Sequence, residues 1–333
     1  MEKLFSGEES YVIQRLHLIK KELEKAETIS IFVHINPDGD CIGSGVALCR
    51  ALIKMGKKAC VYSDDPAPEK YLCLPYVKEY MKLASQHDVK ADVAICVDVP
   101  ALDRIGNAIP QYLSAKKQLA IDHHLSRAKF AYISAIDSKA ASAGELVYEL
   151  IKMFKQLDDE IAALLFASII SDTGCFQFSN TTDQTLRIAG ELRKYKIDTQ
   201  GIIYKIYSSI SKEVFNLKQR VFSKCKFYDN NTIGIITFRK EDFEATNTTQ
   251  AHTEGLVSSI RNINCIKVAI SIAEVNKNSF KISIRTNGDY DATYIAGVFG
   301  GGGHKAAAGC RINGIYEDII ERLLKASRDL IGW

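Results

Sequence analysis

Ile29-Ser30-Ile31-Phe32-Val33-His34-Ile35-Asn36-Pro37-Asp38-Gly39-Asp40 is an apolar, β-branched run that breaks into a turn carrying one imidazole and two carboxylates. The run over 29–35 reads as a buried strand. Pro37 and Gly39 force a tight turn behind it, so His34, Asp38 and Asp40 can point to one centre. Working outward, apolar spacing at Val12, Ile13, Leu16, Ile19 and Leu23 predicts a helix over 11–26. Val46, Leu48, Leu52 and Ile53 predict another over 43–55. Further strands are predicted at 59–63, 93–99 and 118–122, the middle one almost continuously apolar, as in a strand covered on both faces. Strands alternating with helices predict an α/β fold built on a parallel, doubly wound sheet. Ligands bind such sheets beyond the carboxyl ends of the strands. Three of these ends carry His34 to Asp40, Asp98, and Asp122 to His124.

Beyond the sheet, 146–154 and 161–170 read as packed helices, the second followed by Ser171-Asp172-Thr173-Gly174. Residues 182–218 are mostly helical in pattern and charged. From 224 a second pattern begins, with strands at 232–238, 267–274 and 280–285 and helices at 253–261, 292–298 and 316–327. The expected organisation is a catalytic metal-binding domain over 1–185, a helical connector over 186–222 and a smaller mixed α/β domain over 223–333. A length of 333 residues suits two ordinary domains.

Composition narrows the class. Hydrophobic residues at 47% and charged residues at 25% give a globular profile with material for two cores. No apolar run reaches the length that spans a bilayer. The acidic start over 1–10 lacks the layout of a signal peptide. Nine scattered Cys, without a C-x-x-C pair, fit reduced thiols and a cytoplasmic location better than a disulfide framework or a zinc site. A net charge of +3 does not argue for tight binding of long nucleic acid. The charge is uneven: 186–226 holds ten Lys/Arg against three Asp/Glu, either a solvated helical face or a basic stretch beside a cleft for phosphates.

His34, Asp38, Asp40, Asp98, Asp122, His123, His124 and Asp172 together supply three His and five Asp, enough hard ligands for two adjacent divalent cations. Such a pair is a recurrent device for in-line attack on phosphorus. Each cluster has a plainer explanation. Asp38 and Asp40 suit a turn that caps the next helix. Asp98 at a strand end could equally be a cap. His123 and His124 could be surface histidines, although alternation of side chains prevents both from entering the core. Asp172 could be a turn residue, at some cost to a carboxylate near a helix C-terminus. Gly300-Gly301-Gly302-Gly303-His304 could be a flexible linker, but glycines inside a domain suit close backbone approach to an anionic ligand. Arg285, ending a predicted strand, has a fork that matches phosphate oxygens.

Taken in order, the H-x-x-P-D-x-D loop, Val97-Asp98 with Arg104-Ile105-Gly106, Asp122-His123-His124, Ser171-Asp172-Thr173-Gly174 and the final GGGGH with Ala307-Ala308-Gly309 closely resemble the DHH phosphoesterase superfamily. The resemblance spans nearly the whole chain and is nearest to the stand-alone nanoRNase/pAp-phosphatase (NrnA) type, a DHH domain followed by a DHH-associated domain. It implies hydrolysis of short oligoribonucleotides to mononucleotides and of 3′-phosphoadenosine 5′-phosphate to AMP. It implies His34, Asp38 and Asp98 on one cation and Asp40, Asp98, His123 and Asp172 on the other, with Mn²⁺ the expected ion and Mg²⁺ or Co²⁺ as alternatives. His124 is then expected at the scissile phosphate with Asp122 orienting an imidazole. Arg285, Gly301, Gly302, Gly303 and His304 are expected to hold the far end of the substrate. Cys41 and Ile42 depart from the smaller or leucine residues common there, and Cys41 could bind softer metals. Expected partners are short RNA or DNA oligonucleotides and a mononucleotide bisphosphate, with no membrane and a homodimer as one assembly.

The same parts would serve a cyclic or linear dinucleotide signalling phosphodiesterase. A RecJ-like single-strand exonuclease would need more chain. A non-catalytic nucleotide sensor would be expected to lack a ligand, and a family II pyrophosphatase would not need the GGGGH tail.

Overall fold

The apolar run around Ile31 forms β1 (Thr28–Phe32) at the centre of a six-stranded sheet. The computed structural model describes residues 7–87, 90–125, 130–253 and 255–332. Residues 1–6 of the acidic start, and Glu254 in a predicted helix, lie outside them. The other strands of the first sheet are β2 (Lys58–Ser63), β3 (Met81–Leu83), β4 (Val93–Val97), β5 (Lys117–Asp122) and β6 (Ile133–Ile136). Their order is β3-β2-β1-β4-β5-β6, and every pairing is parallel. All of β4 is buried, which is why its sequence is apolar without alternation. Strand order reverses between β1 and β4, and this reversal opens a crevice at their carboxyl ends.

The longer helices are α1 (Gly7–Lys25), α2 (Gly39–Lys54), α3 (Ala143–Phe154), α4 (Asp159–Asp172) and α5 (Asp183–Leu192). One face of the sheet sends Ile31, Ile95 and Ile121 into a core with Leu16, Ile19 and Leu23 of α1 and Val46 and Leu52 of α2. The opposite face sends Phe32, Cys96 and Ala120 against Ile105 and Tyr112. Helix α2 lies close on α4. A Cβ at Gly43 would sit 2.5 Å from the Leu164 carbonyl oxygen, so only glycine permits this approach.

A second compact unit begins at Ile210. Its strands are β7 (Lys226–Tyr228), β8 (Ile233–Phe238), β9 (Val268–Asn276), β10 (Ser279–Thr286), β11 (Gly302–His304) and β12 (Ala307–Asn313), in the order β11-β12-β10-β9-β8-β7. Only β8 and β9 pair in parallel, so the sheet is mixed. Its helices include α6 (Lys212–Phe222), α7 (Leu256–Arg261), α8 (Ala292–Val298) and α9 (Tyr316–Ile331). Residues 186–222, read from sequence as a connector, divide between the units. Ile188 and Leu192 of α5 enter the core of the first, and Leu217 and Val221 of α6 that of the second. The edge strands β3, β6, β7 and β11 are too short, and β12 too rich in alanine and glycine, to be read in advance. No helix among the described residues is long and apolar enough to cross a membrane.

Candidate metal centre

Two carboxylates enter the crevice on the first turn of α2. Asp38 is the N-cap, and its Oδ1 accepts hydrogen bonds from the Asp40 and Cys41 N–H groups, each at 3.1 Å. The same oxygen lies 3.6 Å from His34 Nε2. The capping explanation of this loop and the ligand explanation therefore coexist on one side chain. Asp40 is fully buried. Its Oδ2 accepts from Ala143 N at 2.7 Å, and its Oδ1 accepts from Gly144 N at 3.1 Å and Ser168 Oγ at 2.5 Å. A carboxylate held by the first N–H groups of α3 is favoured by the positive end of that helix. Ser168 was not anticipated, although it is a lone hydroxyl in the apolar Leu164-Leu165-Phe166-Ala167-Ser168-Ile169-Ile170 stretch.

Asp98 follows β4 and takes a left-handed backbone, φ 60°, while its N–H donates to the Ile121 carbonyl at 2.9 Å. A non-glycine residue held there costs about 1–3 kcal/mol, a strain that concentrates at functional sites. Its Oδ2 lies 3.6 Å from His34 Nε2, and its Oδ1 lies 3.4 Å from His123 Nε2 and 3.6 Å from His124 Nδ1. Asp98 is thus the carboxylate between the two halves of the cluster. Asp172, the last residue of α4, has Oδ2 3.2 Å from His123 Nε2, and Asp40 Oδ2 lies 3.7 Å from that same nitrogen.

The His123 and His124 rings lie 4.6 Å apart, centre to centre. Alternation does not separate them, because β5 ends at Asp122 and the pleat ends with it. His124 Nδ1 donates to the buried Asp122 Oδ1 at 2.8 Å. His34 Nδ1 donates to the Ile35 carbonyl at 2.8 Å, and His123 Nδ1 to the Ala140 carbonyl at 3.3 Å. Since carbonyls only accept, each Nδ1 carries the proton and each Nε2 is turned to the carboxylates.

Electrostatics follow from this crowding. Burial pushes Asp40 well above the usual carboxylate range, and the Asp98 and Asp172 charges add to it. Asp172 is pushed up to about 6, by burial first, with His123 opposing. Burial would also raise Asp98, but its contacts with His123 and His34 prevail and hold it below the usual range. Burial lowers His123, yet Asp172 and Asp98 outweigh it and push the ring up to about 12. His124 is raised against burial by Asp122 and Asp98. The cluster therefore favours positive charge at its centre.

Its atoms fit divalent cations. Donor atoms of His34, Asp38, Cys41 and Asp98 lie within 4.8 Å of one another, as do those of Asp98, His123 and His124, and those of Asp40, His123 and Asp172. Asp98 Oδ1 and His123 Nε2 are buried without a hydrogen-bond partner. Buried polar atoms are seldom left so, and a cation would satisfy both. Carboxylate and imidazole donors suit hard or borderline ions. Cys41 brings one soft donor, buried, its thiol pushed up by desolvation.

In the second unit, Arg285 of β10 pairs with Ala307 of β12, and Ala307 pairs with His304 of β11. Arg285 and His304 therefore share a row, on one face, across a small alanine. The glycines before His304 meet their own chain. A Cβ at Gly301 would lie 2.2 Å from the Gly309 carbonyl oxygen, and one at Gly303, φ 149°, 2.4 Å from that of Ala307. Gly302 has open space around it.

A family model described as the DHH family, N-terminal domain, matches residues 28–169, and one for the DHHA1 domain matches 235–332. The chain is 28% identical over 319 residues to the bifunctional oligoribonuclease and PAP phosphatase NrnA of Thermus thermophilus, covering 95% of this chain and 94% of that protein. It is 27% identical over 291 residues to the protein of that name from Bacillus subtilis, covering 86% and 90%. It superimposes on an exopolyphosphatase-related protein of Bacteroides fragilis with a TM-score of 0.89 at 26% identity, covering 98% and 97%. With its DHH domain followed by a DHHA1 domain, the chain belongs to the DHH phosphoesterase superfamily.

Proposed function

We propose that this protein is a divalent-cation-dependent phosphoesterase that hydrolyses short oligoribonucleotides to mononucleotides and 3′-phosphoadenosine 5′-phosphate to AMP. The observation that carries this is the pair of donor sets sharing Asp98, with buried, unpartnered Asp98 Oδ1 and His123 Nε2 between them. The similarity to two oligoribonuclease and PAP phosphatases supports the substrate class. His34, Asp38 and Asp98 would hold one cation, and Asp40, Asp98, His123 and Asp172 the other. Mn²⁺ is the ion we assign. Bound there, the cations would supply an activated water and Lewis acidity toward phosphorus. Asp122 fixes the His124 ring through Nδ1. Burial opposes charge on that ring, but Asp122 and Asp98 raise its pKa, which favours the charged form suited to hold a phosphoryl oxygen. Ser168 and the α3 N–H groups keep Asp40 from turning. Arg285 and His304, with the open backbone at Gly302, would hold the substrate's far phosphate or terminal nucleotide. The nine free cysteines suit a reducing, cytoplasmic setting.

The test is turnover with Mn²⁺ on a labelled dinucleotide, a pentamer, a long RNA, 3′-phosphoadenosine 5′-phosphate and a cyclic dinucleotide. Loss of the dinucleotide, the pentamer and the bisphosphate with the long RNA spared is expected. Turnover of the cyclic compound alone would overturn this substrate assignment. Asp98→Ala should reduce every activity to background, and near-normal rates in that variant would sink the shared-carboxylate reading.

A further inference from the structure

The second unit holds a recess of about 320 Å³ lined in part by Lys224, Lys226, Tyr228, Arg239, Asp242 and Tyr316. Arg239 directly follows β8. Its guanidinium carbon lies 3.6 Å from the Tyr316 ring centre and 5.6 Å from that of Phe280. Tyr316 is itself anchored, its hydroxyl 2.7 Å from Thr237 Oγ1. Two rings therefore fix the plane of a guanidinium whose N–H groups donate no hydrogen bond among the described residues. The nearest carboxylate oxygen paired with it is on Glu274, at 3.9 Å. Lys226, on the edge strand β7, makes no ion pair among the described residues. Two acids line the recess: Asp242 is buried and engaged, its Oδ1 accepting from Arg220 Nε at 2.5 Å and Lys224 Nζ at 2.7 Å, and Glu241 is exposed with a carboxylate oxygen 3.9 Å from Lys224 Nζ. Arg239, rigidly oriented and only distantly paired with Glu274, and Lys226 therefore face a recess of small-ligand size.

From this geometry we propose that the recess binds a phosphate dianion, carried by a mononucleotide. A guanidinium fork matches phosphate oxygens, and its fixed plane removes much of the entropy cost of doing so. A phosphomonoester carries close to two negative charges at neutral pH, to which Arg239 and Lys226 offer complementary positive charge. The rings of Tyr228 and Tyr316 offer apolar surface to the group attached. This site is separate from the Arg285 row. Phe280 and Arg285 lie five residues apart on β10, about 17 Å at ~3.4 Å per residue, and on opposite faces of the strand.

The test is calorimetric titration of the full chain in EDTA with AMP, inorganic phosphate and adenosine, on the wild type, Arg239→Gln, Lys226→Gln and Arg285→Ala. AMP binding should weaken about tenfold or more in Arg239→Gln and Lys226→Gln, the size of one lost charge-assisted hydrogen bond, and persist in Arg285→Ala. Lys226 lies on an exposed edge, so its variant reports on binding even if Arg239→Gln folds poorly. Inorganic phosphate binding as tightly as AMP would identify free phosphate as the source of the dianion, and AMP binding more tightly would identify the nucleotide. Adenosine binding as tightly as AMP, or unchanged AMP isotherms in both cation variants, would overturn the proposal.

Discussion

At the scale of the residue, the centre depends on side chains that touch no substrate. Ser168 donates to Asp40 from the middle of an apolar helix. Ser168→Ala should leave the fold intact but let the Asp40 carboxylate rotate, weakening cation affinity about 10- to 100-fold, as loss of a ligand's hydrogen-bond partner typically does. Titration calorimetry with Mn²⁺ measures this, and unchanged affinity would mean that the α3 N–H groups alone hold Asp40. Arg285 sits in a different unit from the acids. Arg285→Ala should raise KM for the dinucleotide about tenfold or more while kcat changes little, because the phosphate contact proposed for it would be made alike in ground and transition states. Steady-state kinetics showing a lower kcat at constant KM would contradict that role.

At the scale of the element, Asp242 ties α6 to the segment after β8. Its carboxylate accepts from Arg220 and Lys224 of the α6 region and from the Arg239 N–H at 3.0 Å. Burial opposes its charge, but Lys224, the Arg239 N–H and Arg220 hold its carboxyl below the usual range. The folded pKa is thus depressed. This contribution is fully present above the ordinary carboxylate pKa near ~4 and is lost as pH falls through the lower folded value. Asp242→Asn should destabilise the second unit by about 1–3 kcal/mol at neutral pH, and the difference from wild type should shrink below about pH 4. Denaturant unfolding at pH 7 and pH 3 checks it, and a gap that widens in acid would refute the sign.

At the scale of the whole molecule, each unit has its own hydrophobic cores. The described carboxylate–imidazole cluster belongs to the first alone. Cation binding should therefore stabilise that unit selectively. At a hundredfold excess over Kd the gain is about 2.7 kcal/mol. Hydrogen exchange with and without Mn²⁺ should show slower exchange in β1, β4, β5 and the start of α2, with β8 to β10 unchanged. Equal protection of both units would mean that the cation is held elsewhere or acts across the chain.

Sequence alone determined the alternation of strands and helices around Ile31, because a strand buried on both faces must be apolar throughout and a helix must show its stripe. It also marked His34, Asp38, Asp40, Asp98, His123, His124 and Asp172 as candidate ligands, since each alone could serve a cap or turn but most of them follow the strand ends where such a sheet binds ligands. Only the tertiary structure decided that Asp38 caps α2 while facing His34, that the end of β5 frees His123 and His124 to lie side by side, and that Ser168 reaches Asp40. It also decided that Gly301 and Gly303 are required by their own neighbouring strand. Those facts depend on contacts between residues up to 128 positions apart in the chain. Local pattern records which side chains are available, whereas close packing of α2 on α4 and of β11 on β12 decides which atoms meet.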